Sequence, residues 1–140
     1  MRPETMCIQA GYETKNGSPR ALPIYQSTTF TFESTEHVGA RVDLTAGDAV
    51  YTRLGNPTTD CVEKKIAALE GGVGALCTSS GQAASMLAVM NIAEAGDHII
   101  AASAIYGGTF NLLGVTLKKF GVDVTFVDGD APLEQLQKEK

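Results

Sequence analysis

An α/β fold built on a parallel sheet is what this 140-residue chain predicts, and three observations predict it. Short apolar runs alternate with helix-patterned segments from Asn56 onward. Each helical segment opens on a capping residue or a proline and closes on glycine. The helices are long enough to cross over between parallel strands, which implies a sheet covered on both faces.

The elements follow in order. Asn56-Pro57 supplies a cap and a residue pre-set for the first helical position, with Asp60 and Glu63 near the positive end of the dipole. Val62, Ile66 and Leu69 recur at helical spacing as one apolar stripe. Gly71-Gly72 stops the helix, because glycine enters the left-handed conformation cheaply. The glycines of GGVG precede a strand, whereas a phosphate loop needs them after one, so they read as a helix stop. A strand is expected over Gly74–Thr78 and a helix from about Gln82 to Ala95. Gly96-Asp97 closes that helix, and His98–Ala102 reads as a second buried strand. A loop at Tyr106-Gly107-Gly108-Thr109 leads into a helix with Phe110, Leu113, Leu117 and Phe120 on one face, stopped at Gly121. The strand Val122–Val127 follows, and Asp130-Ala131-Pro132 begins another helix.

Residues 1 to about 56 show no sustained period. Lys15-Asn16-Gly17-Ser18-Pro19 is turn-prone, Tyr25–Phe32 is β-rich, and Glu33–Val50 is mixed. The expected organisation is therefore an extended arm over 1–56 and the beginning of an α/β domain over 57–140.

Composition narrows the function. Apolar residues at 44% and charged residues at 19% describe a globular chain, and a formal charge of −5 disfavours nucleic acid as a partner. No apolar run approaches the ~20 residues that span a bilayer, so no membrane partner is expected. The N-terminus has no apolar leader. Three cysteines (Cys7, Cys61, Cys77) are too few and odd in number for a disulfide framework, and none forms a CxxC pair. These features place the protein in the cytoplasm with no metal centre. Cys77, inside an apolar run, reads as a small core residue, and His98 beside Asp97 as a satisfied edge histidine.

Two motifs carry the chemistry. At Thr78-Ser79-Ser80-Gly81-Gln82 an expected strand turns directly into an expected helix, and ligands of open α/β sheets bind beyond the carboxyl ends of the strands. The amides of Gly81 and Gln82 open a helix N-terminus that favours a phosphate. By itself the junction is equally a plain serine-capped helix start. Tyr51-Thr52-Arg53 places a phenol and a guanidinium two residues apart, which in an extended chain point the same way and could grip one anion. By itself this pair is equally a surface arginine beside a half-buried tyrosine.

Taken as a set, YTRLGNPTTDCVEKKIAALEGG, TSSGQAA and SAIYGGTFNLL resemble the Cys/Met-metabolism family of pyridoxal 5′-phosphate enzymes, closest to its O-acetylhomoserine sulfhydrylase branch. RPET, PIYQSTTFTF and STEH resemble that branch too, and TEHVGARVDL and Gly108 lean towards it. The resemblance implies the large α/β domain of fold type I transferases and the cofactor pyridoxal 5′-phosphate. It implies that Tyr51 and Arg53 bind the cofactor phosphate across a dimer interface, and that Ser80, Gly81 and Gln82 bind the same phosphate. Tyr106 would stack on the pyridine ring and move protons near the leaving group, so Tyr106 and Tyr51 are the catalytic candidates. The implied assembly is a homo-oligomer, a homotetramer, acting on a small amino-acid substrate.

The resemblance further implies γ-replacement, in which O-acetylhomoserine and sulfide give homocysteine and acetate in methionine biosynthesis. A cystathionine γ-synthase or methionine γ-lyase-like relative, or a non-catalytic phosphate-binding or assembly fragment, stays open beside it. Family members are much longer, so the chain is expected to be an N-terminal piece. Lys64, Lys65, Lys118 and Lys119 lie in helices and read as solvated faces, whereas the family's cofactor-bearing lysine follows a strand in a Ser/Thr-rich loop. The piece alone is expected to be inactive, with Ala75–Thr78 lacking its neighbour in the sheet.

Overall fold

Backbone groups that find partners locally decide where the elements begin. The computed structural model describes residues 2–43, 45 and 49–131, which fall into two compact units, Met1–Cys77 and Thr78–Lys140.

In the first unit, helix α1 (Pro3–Gln9) starts on a proline with Glu4 in its first turn and lies against helix α3 (Pro57–Glu70). The chain leaving α1 passes flat over α3 at Gly11, whose φ is 87°. A Cβ at Gly11 would collide with the carbonyl oxygen of Cys61, so this crossing requires glycine. Lys65 reaches back to the Ile8 carbonyl at 3.4 Å. That lysine is therefore engaged with the arm instead of standing on a fully solvated face.

Helix α2 (Thr35–Val42) sits inside the segment that shows no period in the sequence. Its cap is Ser34, whose hydroxyl accepts from the His37 N–H at 3.1 Å. The carboxyl of Glu36 is held below its ordinary range, first by its own backbone N–H and then by the Ser34 hydroxyl. Arg41 is buried: its Nε donates to His37 Nε2 at 3.0 Å, Nη1 donates to the Ala49 carbonyl at 2.8 Å, and its guanidinium lies 5.3 Å from the Phe32 ring centre. Both short arm helices lack enough turns to show a stripe, which is why periodicity missed them.

The β-rich run Tyr25–Phe32 forms a single antiparallel bridge, Thr29 to Tyr51, instead of a strand. Phe30 N–H donates to Val50 at 3.3 Å and Thr52 N–H to Thr28 at 2.9 Å, which ties the run alongside 50–52.

Helix α3 is capped as expected, with the Asn56 side chain accepting from Thr58 N–H at 2.9 Å and Gly71 closing it at φ 67°. The stripe is not core: Val62 and Ile66 are each 47% exposed, and the buried residue is Ala67. The arm covers the side of α3 that bears Cys61 and Lys65, leaving the stripe open among the described residues.

The expected strand over 74–78 does not form. A strand exists only with a ladder partner, and none is present for it among the described residues. Leu76 is 73% exposed and Cys77, expected in the core, is exposed as well, its N–H donating to Glu63 Oε1 at 2.7 Å.

The second unit is the parallel α/β piece. Helix α4 runs Gly81–Met90, shorter than expected, because Ile92 and Ala93 fold back onto the Val89 carbonyl and Asp97 Oδ2 takes the Glu94 N–H. Strand β1 (His98–Ala102) pairs in parallel with β2 (Asp123–Val127), His98 opposite Asp123 and Ala102 opposite Val127. His98 Nε2 meets Thr125 Oγ1 at 2.8 Å, the satisfied edge histidine expected from sequence.

The crossover is helix α5 (Gly107–Asn111), a π-helical turn over Leu112–Thr116 and a 3₁₀ turn over Leu117–Phe120, stopped at Gly121 with φ 81°. The expected single helix is thus three pieces. Its face is half right: Leu113 and Leu117 are buried and form a core with Val122, while Phe110 and Phe120 stay partly exposed. The Phe110 ring stacks on Phe126 at 3.9 Å between centres, and Gly114 lets the crossover lie directly on that ring. The helix expected from Asp130 lies outside the described residues from Pro132 onward.

Leu117→Ala is expected to cost about 2–5 kcal/mol in urea unfolding, against no more than about 0.5 kcal/mol for the exposed Lys118→Ala. In hydrogen exchange, the paired amides of β1 and β2 should be protected while those of Ala75 and Leu76 exchange close to the unprotected rate.

Candidate functional site

Two constellations of donors stand out, one in each unit. In the second unit, α4 begins immediately after Ser79-Ser80. The Ser80 hydroxyl accepts from Ala83 N–H at 3.1 Å, and its carbonyl accepts from Ala84 at 3.0 Å. That leaves the first two amides, Gly81 and Gln82, with no acceptor among the described residues. Thr78 Oγ1 donates to the Ser80 carbonyl at 2.9 Å, which fixes the turn from inside. A Cβ added at Gly81 would meet nothing within 4 Å.

Beside this turn lies the loop that follows β1. The Gln82 side-chain amide donates to Thr109 Oγ1 at 3.2 Å, joining the start of α4 to the start of α5. Tyr106 precedes α5 and is 75% exposed, offering a flat aromatic face. Its ring folds over Gly108: a Cβ there would lie 2.6 Å from Tyr106 Cε1 and 3.1 Å from Gln82 Nε2. Gly108 is thus the residue that lets Tyr106 and Gln82 share one small region.

In the first unit, Tyr51 and Arg53 come together, but not as neighbours on an extended strand. After the bridge at Tyr51 the chain turns, with Leu54 and Gly55 N–H groups donating to the Tyr51 carbonyl at 2.8 and 3.1 Å. The turn swings the Arg53 guanidinium over the Tyr51 ring, 5.2 Å from its centre. No carboxylate pairs with Arg53 among the described residues, so its fork of donors is available to an anion.

The donor sets fit the cofactor expected from the sequence. In the second unit two aligned amides at a helix start suit a phosphate and an exposed phenol ring near the Gln82 side chain suits a planar heteroaromatic ring; in the first unit the Arg53 guanidinium by itself suits an anion. The Ser80 hydroxyl caps the helix by accepting from Ala83 N–H, which leaves its own hydrogen as a donor.

Three contributors escaped the sequence reading. Thr109 anchors Gln82 from 27 residues away, and Thr52 and Tyr25 both bond to Asn56. Asn56 itself was legible only as a cap. The signal for the rest is spatial, not periodic.

Comparison with known proteins gives the family. Residues 4–139 match the profile of the family described as Cys/Met metabolism PLP-dependent enzyme. The chain is 50% identical over 132 residues to an O-acetyl-L-homoserine sulfhydrylase of Leptospira meyeri, covering 94% of this chain and 30% of that protein. Its fold matches a Campylobacter jejuni protein assigned as an O-acetylhomoserine (thiol)-lyase, which carries N′-pyridoxyl-lysine-5′-monophosphate. There the TM-score is 0.89 and the identity 36%, over 99% of this chain and 32% of that one. It also matches cystathionine γ-lyase of Lactobacillus plantarum, with TM-score 0.75 and 36% identity over 91% of this chain and 31% of that one. The chain thus spans about a third of the length of these proteins, and its fold is the N-terminal part of a fold type I α/β architecture. With a profile match over nearly its whole length, the chain belongs to the Cys/Met metabolism PLP-dependent enzyme family.

Proposed function

We propose that these residues form the cofactor-phosphate end of an enzyme that makes homocysteine from O-acetylhomoserine and sulfide, releasing acetate, in methionine biosynthesis. The observation that carries this reading is the pair of amides at Gly81 and Gln82 that find no acceptor among the described residues, with the exposed Tyr106 ring near the Gln82 side chain, within a family defined by pyridoxal 5′-phosphate. The 50% identity to an O-acetyl-L-homoserine sulfhydrylase supports replacement of the acetyl group.

In this reading the bound pyridoxal 5′-phosphate supplies an electron sink for charge developing on the substrate carbon. The chain's own residues do the rest. The Gly81 and Gln82 amides neutralise part of the phosphate charge along the axis of α4. Tyr51 and Arg53, reaching over from a neighbouring copy, complete the phosphate cradle. Tyr106 would offer its exposed ring as a flat face to the cofactor, and its phenol oxygen would hold and move a proton. Gln82 keeps that tyrosine loop attached to the phosphate turn through Thr109.

Residues 1–56 then act as an arm that delivers the Tyr-x-Arg pair, and 57–140 as the opening part of the cofactor-binding domain. The working assembly is a homotetramer of the cytoplasm, a setting that suits three free thiols. The lysine that bears the cofactor is assigned to the remainder of the full-length protein: among the described residues Lys64, Lys65, Lys118 and Lys119 stand on helices, and Lys15 lies in a stretch of the arm that no strand precedes.

Arg53→Ala should lower affinity for pyridoxal 5′-phosphate about ten- to a hundredfold by equilibrium dialysis while leaving affinity for pyridoxal unchanged. Equal losses for both ligands would contradict a phosphate role. Residues 1–140 produced alone should retain no cofactor after borohydride treatment and dialysis. A fixed adduct, located by mass spectrometry on Lys64, Lys65, Lys118 or Lys119, would overturn the assignment of the lysine.

A further inference from the structure

Asn56 does far more than cap a helix. It is 4% exposed, among the most buried polar residues described in the first unit. Its Oδ1 accepts from Thr58 N–H, which any serine, threonine or aspartate cap could do. Its Nδ2 instead donates twice, to the Tyr25 carbonyl at 3.0 Å and to Thr52 Oγ1 at 3.0 Å. Its own N–H meets Asp60 Oδ1 at 3.3 Å. Only an amide side chain offers one acceptor and two hydrogens at this position.

These bonds converge on the turn that presents Tyr51 and Arg53. Thr52, the residue between them, accepts from Asn56 while its hydroxyl donates to the Ser27 carbonyl and its N–H to the Thr28 carbonyl. Tyr25, at the head of the same arm segment, is held to Asn56 through its carbonyl and to Thr58 Oγ1 through its N–H at 2.9 Å. The rigid start of α3 is thereby bonded both to the arm and to the middle residue of the Tyr-x-Arg motif. Tyr51 and Arg53 themselves make no hydrogen bond through their side chains to the described residues, so their placement depends on this framework.

We infer that Asn56 is the positioning residue for the Tyr51–Arg53 pair, acting through Thr52, so that its side-chain amide sets phosphate affinity without touching the phosphate. This rests on the phosphate-binding reading of Arg53. Asn56→Asp keeps the cap acceptor but sets a carboxylate oxygen against the Tyr25 carbonyl. Thr52→Val breaks the same tie from an exposed residue of equal shape and leaves the cap intact.

The test measures the ratio of affinities for pyridoxal 5′-phosphate and pyridoxal on the whole protein, with Arg53→Ala as reference. Loss of general stability moves both affinities together and leaves the ratio alone. The ratio is expected to fall about tenfold in Asn56→Asp and about threefold in Thr52→Val, with the helical circular dichroism retained. If Asn56→Asp does not fold, Thr52→Val decides. A wild-type ratio in the folded variants, while Arg53→Ala lowers it, overturns the inference and leaves the phosphate reading standing. An unchanged ratio in Arg53→Ala overturns both.

Discussion

Two backbone N–H groups that find no acceptor among the described residues, at Gly81 and Gln82, are the constraint around which the rest is arranged. Among the first amides of α4, Ser80 answers for Ala83 through its hydroxyl and for Ala84 through its carbonyl. Gly81 and Gln82 are left without an acceptor among the described residues, and the loop after β1 brings a flat phenol near the Gln82 side chain. The loop after β1 lies at the carboxyl end of the parallel pair, and the Gln82–Thr109 bond joins the start of α4 to it. The Leu113–Leu117–Val122 core matters to function because it fixes that crossover on the strands.

The first unit solves a different problem. In the proposed phosphate-binding role, the Arg53 guanidinium cannot be spent on a carboxylate, yet it must not wander. Here it rests on the Tyr51 ring, and the turn beneath it is bonded to a helix start. The buried polar atoms of Asn56 are all matched, and a fully satisfied network of this kind rigidifies where a partly satisfied one would loosen.

How much of this the sequence discloses depends on the range of the interaction. Punctuation is local, and it was readable: Asn56-Pro57, Gly71, Ser80 and Gly121 begin or end helices where their chemistry says. The parallel pairing of His98–Ala102 with Asp123–Val127 was readable from alternation. Burial was not. Val62 and Ile66 have the spacing of a core face but nothing described lies upon it, and Cys77 sits in an apolar run that has no ladder partner. The crossover shows the middle case: Leu113 and Leu117 were identified as core, while the close approach of Gly114 to Phe126 and the break into π and 3₁₀ turns were not. For the site, residue types and motif order identified Tyr51, Arg53, Gly81, Gln82 and Tyr106 as candidates, but their supports, Thr52, Asn56 and Thr109, are joined to them by bonds that only a folded chain reveals.

The most direct test is a crystal structure of the whole protein with pyridoxal 5′-phosphate bound. Phosphate oxygens are expected within about 3 Å of the Gly81 and Gln82 amides and of an Arg53 guanidinium from an adjacent copy. A phosphate held elsewhere, with Arg53 of every copy facing bulk solvent, would contradict the account.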